Sequence, residues 1–129
     1  MIEGLQPNPD ILICSHDLTI DRTSNGTGNV RDYNYTELLD FNFADSFSLP
    51  NGTNPYDDHP DAKPELIENL FINQSDMLYL LEIKNRDADG DIAAALLVQL
   101  IEDYNMENKV IVLIISILKR WLLSSRIIT

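Results

Sequence analysis

Met77–Asn85 reads MLYLLEIKN, and the fold class turns on it. The run is apolar through Ile83 except for Glu82, then becomes polar. Alternation along an extended chain puts Leu80, Glu82 and Lys84 on one face and Leu81 and Ile83 on the other. So continuous an apolar run predicts a parallel strand covered on both sides. Downstream, Asp91–Tyr104 changes to helical spacing, with Ile92, Leu96 and Leu100 on the buried stripe and Leu97 and Ile101 beside them. Lys109–Ile115 is again an unbroken apolar run and predicts a second buried strand. Strand, helix, strand is a βαβ unit, which implies an α/β fold with a right-handed crossover.

Upstream, Ile11–Cys14 is a short apolar run delimited by Pro7, Asn8, Pro9 and Asp10, and it predicts a buried strand. Ser15, His16 and Asp17 stand at its C-terminal end. Thr23–Asn29, TSNGTGN, is a loop: Asn25–Gly26 is a turn signal, and Gly26 and Gly28 permit backbone angles closed to other residues. A short helix is expected after Thr36, whose hydroxyl would cap it, with Leu38, Leu39 and Phe41 on its apolar side. Ala44–Pro64, punctuated by Pro50, Gly52, Pro55, Pro60 and Pro64, reads as an acidic, irregular excursion. A second helix is expected to begin near Pro64, which suits a first-turn position, with Leu66, Ile67 and Leu70 toward the core.

A chain of 129 residues is enough for one domain and too short for two ordinary ones. Its net charge of -12, from 21 acids and 9 bases, argues against nonspecific nucleic-acid binding. The charge also disfavours a polybasic membrane anchor over most of the chain. A single cysteine, Cys14, excludes an internal disulfide framework and a cysteine zinc cluster. Every acid lies before Lys109, whereas KVIVLIISILKRWLLSSRIIT, from Lys109 on, is apolar and basic. Residues 116–129 are therefore read as an apolar basic tail, and peripheral membrane contact would rest on it alone. The opening MIEGLQPNPD has no signal-peptide pattern, and Val110–Leu118 is roughly half the length that spans a bilayer.

Glu82 and Lys84, two apart at the end of a buried strand, project the same way. Functional side chains gather at such strand ends in parallel sheets and barrels. Glu82 would suit a hard cation and Lys84 an anion; the bland alternative is a solvated ion pair where the strand leaves the core. His16 stands at another strand end, and a histidine there can move a proton near neutral pH, with Asp17 orienting it. His59, in DDHPDAKP, reads as a solvated loop residue. TSNGTGN would offer N–H groups to a phosphate, but it lacks the Gly-Lys-Ser/Thr ending of a P-loop. Cys14 reads as a small buried filler, and Trp121 and Tyr79 as packing residues.

These residues bring a family into view. His16–Asp40, HDLTIDRTSNGTGNVRDYNYTELLD, resembles the His-Asp, Arg-Thr-Thr-Asn-Gly-x-Gly and Leu-Asp series of the glycerophosphodiester phosphodiesterase family. Leu81–Asn85 is similar to that family's Glu-Ile-Lys strand end, and KPELIENL at Lys63–Leu70 to its helix start. Met1–Gly4 resembles the strand that carries a metal-binding glutamate. The resemblance implies a TIM-barrel, phospholipase C-like phosphodiesterase that hydrolyses glycerophosphodiesters to glycerol 3-phosphate and an alcohol. It implies a divalent cation, magnesium or calcium, held weakly here by Glu3 and Glu82. It makes His16 the second of two catalytic histidines and Lys84 the contact to a small-molecule phosphodiester substrate.

Departures accompany it. The family's first-strand His-Arg-Gly has no counterpart, Glu3 is followed by Gly4 and Leu5 where the family has an aspartate two residues on, and VLIISILKRWLLSS stands where a Ser-Phe-Asn or Ser-Phe-Asp strand end is expected. The expected architecture is therefore an α/β, open and truncated piece of the barrel over residues 1–115. Its function is either that hydrolysis or, as the alternative, that of a catalytically inactive family fragment.

Overall fold

The structure is a computed structural model that describes residues 11–56 and 62–113. Its elements in chain order are a 3-10 turn at Val30–Asp32, helix α1 (Tyr35–Leu38), helix α2 (Ile67–Asn73), strand β1 (Tyr79–Glu82), helix α3 (Asp87–Asp103) and strand β2 (Val110–Leu113). β1 and β2 pair in parallel, with Tyr79 opposite Val110 and Glu82 opposite Leu113. The βαβ unit read from the sequence is thus present, and the described residues form a small, open α/β arrangement with a two-stranded sheet.

The main core lies on one side of that sheet. Leu81 and Ile83 from β1 and its end meet Ala93 and Leu97 of α3, Ile67 and Phe71 of α2, Leu12 and Met106. The Phe71 ring meets Tyr79 and Tyr104 edge-on, with centroids 5.5 and 6.5 Å away. The other side of the sheet is open, which corrects the expectation of a strand covered on both sides. Leu80 is 60% exposed and Ile111 65% exposed. The burial that a continuous apolar run normally signals is supplied here to one face only.

α3 starts one turn earlier than its hydropathy suggests. Asp87 and Asp89 occupy its first turn, where carboxylates suit the positive end of the helix dipole. Its most buried residues are Gly90, Ala93 and Leu97, while the expected stripe of Ile92, Leu96 and Leu100 is half-buried along the flanks. Small residues on the central line let the helix sit close to its neighbours. A Cβ at Gly90 would stand 2.7 Å from the Asn85 carbonyl oxygen. The helix ends in a paired-bond cap: the Met106 N–H donates to Ile101 O at 2.8 Å and the Asn105 N–H to Glu102 O at 3.2 Å. Asn105 adopts φ 53°, and buried Met106 seals the end.

Ile11–Cys14 is extended but forms a single antiparallel bridge, Ile13 to Leu66, instead of a strand. Its partner segment turns into α2 at Ile67, and Ser15 turns the chain on the other side with Oγ donating to Asp17 O. Few rungs remain: the Cys14 N–H donates to Glu65 O at 2.7 Å and the Ile67 N–H to Leu12 O at 3.1 Å. The same pairing explains why α2 starts after Pro64, since residues 65–66 are committed to the bridge. Leu12 and Ile13, neighbours on an extended chain, point oppositely. Leu12 enters the main core, and Ile13 enters a second one with Ile20, Val30 and Leu38.

That second core holds a region with little regular structure. α1 is capped by Asn34 rather than by Thr36: Asn34 Oδ1 accepts from the Glu37 N–H at 3.0 Å while Glu37 Oε2 accepts from the Asn34 N–H at 2.8 Å. Residues 44–56 are turns and irregular chain, as their prolines suggest, with Phe47 and Tyr56 rings 5.4 Å apart. No helix among the described residues is long and apolar enough to cross a membrane. The tail at 116–129 and the ends of the expected strands at Met1–Gly4 and Ile114–Ile115 lie outside the described residues.

Candidate functional site

The C-terminal end of β1 delivers two charged side chains to the face opposite the core. With Leu81 and Ile83 inward, Glu82 and Lys84 take the other side, and Lys84 Nζ lies 2.9 Å from Glu82 Oε2. Both side chains are half-buried, so this is a partly desolvated pair rather than the solvated one that is the bland sequence reading. Each charge is neutralised by the other.

His16 follows the extended segment as expected. Its ring is 58% exposed, and Nδ1 lies 2.7 Å from Asp17 Oδ1. Arg22 reaches the same carboxylate with two donors: Nε donates to Oδ2 at 2.7 Å and an Nη to Oδ1 at 3.0 Å. Hydrogen bonding from Arg22 first, and from His16 second, holds the Asp17 carboxyl well below the usual carboxylate range. Arg22 is the arginine that opens the Arg-Thr-Ser-Asn-Gly match, but the motif assigned it no partner. The pairing itself has a single sequence signal, an arginine five residues after an aspartate, across a turn.

The chain after His16 and the chain after Lys84 face one another across an open cleft of about 310 Å³. Leu18, Val30 and Arg31 line one side, and Asn85, Arg86 and Asp89 the other. Arg31 Nε reaches Asp89 Oδ1 at 3.4 Å. The walls therefore carry both signs of charge.

Four N–H groups of the TSNGTGN loop are bonded within the chain rather than turned to a phosphate. The Ser24 and Asn25 N–H groups donate to Ile20 O and Asn42 O, and the Gly26 N–H to Ser24 Oγ. The Gly28 N–H donates to the Asp21 carboxylate, an acid that would itself repel an anion. The glycines serve packing and conformation instead. A Cβ at Gly26 would stand 2.6 Å from the Phe41 ring, and Gly28 has φ 111°. Cys14 is half-buried against the main core, and burial pushes its thiol up, in line with a filler role. Tyr79 also packs, with its hydroxyl donating to Leu70 O and Gln74 O.

Glu3 and His59 lie outside the described residues. Among the described residues, no group of three or more histidine, cysteine, aspartate and glutamate side chains gathers in a way that would hold a metal ion. Glu82 brings one carboxylate, already turned to Lys84. The described residues thus do not make up a cation site by themselves.

No family model and no curated protein sequence matches the chain. Solved structures do. A glycerophosphodiester phosphodiesterase from Agrobacterium tumefaciens superposes with a TM-score of 0.67 at 21% identity, over 96% of this chain and 48% of that one. The chain shares its fold. The glycerophosphoryl diester phosphodiesterase domain of a Mycobacterium tuberculosis protein matches with a TM-score of 0.70 at 15% identity, over 90% of this chain and 41% of that one. A glycerophosphoryl diester phosphodiesterase from Parabacteroides distasonis gives 0.58 at 25% identity, over 85% and 34%. The chain thus spans half or less of the length of these structures, and its open sheet is a part of the glycerophosphodiester phosphodiesterase fold.

Proposed function

We propose that this chain carries one side of a phosphodiester-hydrolysing site. Lys84 meets a nonbridging phosphate oxygen, and His16 exchanges a proton with the attacking water or the leaving alcohol oxygen. The observation that carries this reading is the placement of Glu82 and Lys84 together on the open face at the end of β1. The shared fold supports it, as does the cleft that joins the chain after Lys84 to the chain after His16.

The chemistry asks for these residue types. A phosphodiester is anionic and resists attack, and a lysine that leaves Glu82 for a phosphate oxygen neutralises charge that grows in the transition state. Hydrolysis joins the water oxygen to phosphorus and breaks the ester bond to the alcohol, and an imidazole is suited to the proton transfers on either side. Glycerophosphodiesters are the proposed substrates, with glycerol 3-phosphate and an alcohol as products. In this proposal Glu82 also faces a magnesium or calcium ion together with Glu3. Of that pair, the described residues supply one carboxylate, Glu82.

A second reading has its own observation. Glu82 and Lys84 already satisfy each other, which favours a chain that folds and does not turn over. One assay separates the two. The purified chain is incubated with glycerophosphocholine and magnesium or calcium, beside His16→Ala and Glu82→Ala. Release of glycerol 3-phosphate that falls about 10²–10⁴-fold in His16→Ala, and also falls in Glu82→Ala, supports the hydrolase. Equal background release in all three rejects it in favour of the inactive relative.

A further inference from the structure

We infer that Arg22 is a positioning residue for His16: acting through Asp17, it fixes the imidazole with Nδ1–H toward the carboxylate and leaves Nε2 as the atom that exchanges protons. The inference takes the use of that proton from the function proposed above, but the geometry stands apart from it.

The argument starts from hydrogen-bond valence. An ionised carboxylate accepts and cannot donate. Asp17 Oδ1 lies 2.7 Å from His16 Nδ1, so with Asp17 ionised the proton of that bond belongs to Nδ1. In the neutral ring the lone pair is then on Nε2. Which nitrogen of a histidine is protonated is set by the bond the other one makes.

Asp17 alone would be a loose partner. It adjoins His16 in sequence, and its side chain is still about one-quarter exposed. A surface carboxylate with free rotation would share its contact with water. Arg22 removes that freedom: Nε on Oδ2 and an Nη on Oδ1 fix both oxygens and so fix the plane of the carboxylate. A planar two-donor fork is something a lysine ammonium cannot reproduce. Oδ1 takes donors from both Arg22 and His16, so the imidazole is aligned against an oxygen that Arg22 has already placed. The guanidinium also balances the aspartate charge beside the ring.

The chain has two histidines, so ring-nitrogen NMR resolves His16 with one assignment variant, His59→Gln. Two-bond proton–nitrogen spectra of ¹⁵N-labelled protein, recorded with the rings neutral, report the tautomer directly. The expected result is Nδ1–H in the wild type and a shift toward the Nε2–H form or a mixture in both Arg22→Ala and Arg22→Lys. If Arg22→Ala fails to fold, the lysine variant still decides. A wild-type ring protonated on Nε2 overturns the inference, and so does Nδ1–H retained fully in either folded variant. If glycerophosphocholine is turned over, Arg22→Lys should lower kcat about tenfold with KM unchanged, less than the loss general acid–base catalysis is typically worth. If no variant or wild type turns over, the hydrolase reading fails while the NMR result still answers for Arg22.

Discussion

The β1–α3–β2 unit and the chain from Ile11 to Tyr56 are stabilised by different means. The first is periodic: strand pairing and a 17-residue helix satisfy its backbone, and its apolar residues meet in one core. The second has four residues of α-helix and one 3-10 turn. Side chains do there what secondary structure does elsewhere. Asn34, Asn42, Asn51, Asp21 and Ser24 accept backbone N–H groups, and Lys63 Nζ donates to Phe41 O. Buried peptide groups have to be paired by one route or the other. The proposed site draws on both, taking Glu82 and Lys84 from the periodic unit and His16, Asp17 and Arg22 from the loop-rich one.

The contrast can be broken most strongly in the core beneath the periodic unit, to which α2 contributes Phe71. Phe71→Ala removes a ring that is 1% exposed and flanked by two tyrosines, and it should cost about 3–5 kcal/mol in urea unfolding. Loss below about 1 kcal/mol would mean that this core is not where the stability lies.

Gly26→Ala addresses the other side. Its Cβ would fall 2.6 Å from Phe41 and 2.7 Å from Ile20 Cδ1, within a packed pair, so overpacking of about 1–3 kcal/mol is expected. Hydrogen exchange should quicken at Asn25, Gly28 and Val30 before it does in β1 and α3. Uniform quickening would instead show one cooperative unit.

The smallest effect sharpens the periodic unit. Asn105 holds φ 53° at the cap of α3, a conformation glycine reaches without a Cβ penalty. Asn105→Gly should raise the melting temperature, for a gain of up to about 1 kcal/mol. A fall would show that the asparagine side chain contributes more than its backbone angle costs.

The same contrast sets what was legible beforehand. Periodicity revealed β1, α3, β2 and their order, because hydropathy repeats there with the period of the structure. It misplaced the start of α3, because DADGD looks like a loop until the dipole and the close approach at Gly90 are counted. It gave Ile11–Cys14 as a strand, because an apolar run carries no information about how many rungs its partner offers. In the loop-rich region the resemblance to a phosphodiesterase family indicated the fold, while residue patterns alone did not. Glu82 and Lys84 were readable as a pair from strand alternation. Arg22 was readable as a motif residue, but not its contact to Asp17, which exists only once the turn between them is made.

Leu12 and Ile13 carry one last implication, for how the chain tolerates changes in length. Each belongs to a different core, and one peptide group joins them. Inserting or deleting a single residue ahead of this pair, with the flanking chain held in place, would exchange the two destinations and send a leucine where an isoleucine fits and the reverse. The excursion at 44–56 has no such frame to keep, since its exposed turns answer to no alternation. Length variation among related chains should therefore collect in the excursion and stop at the seam.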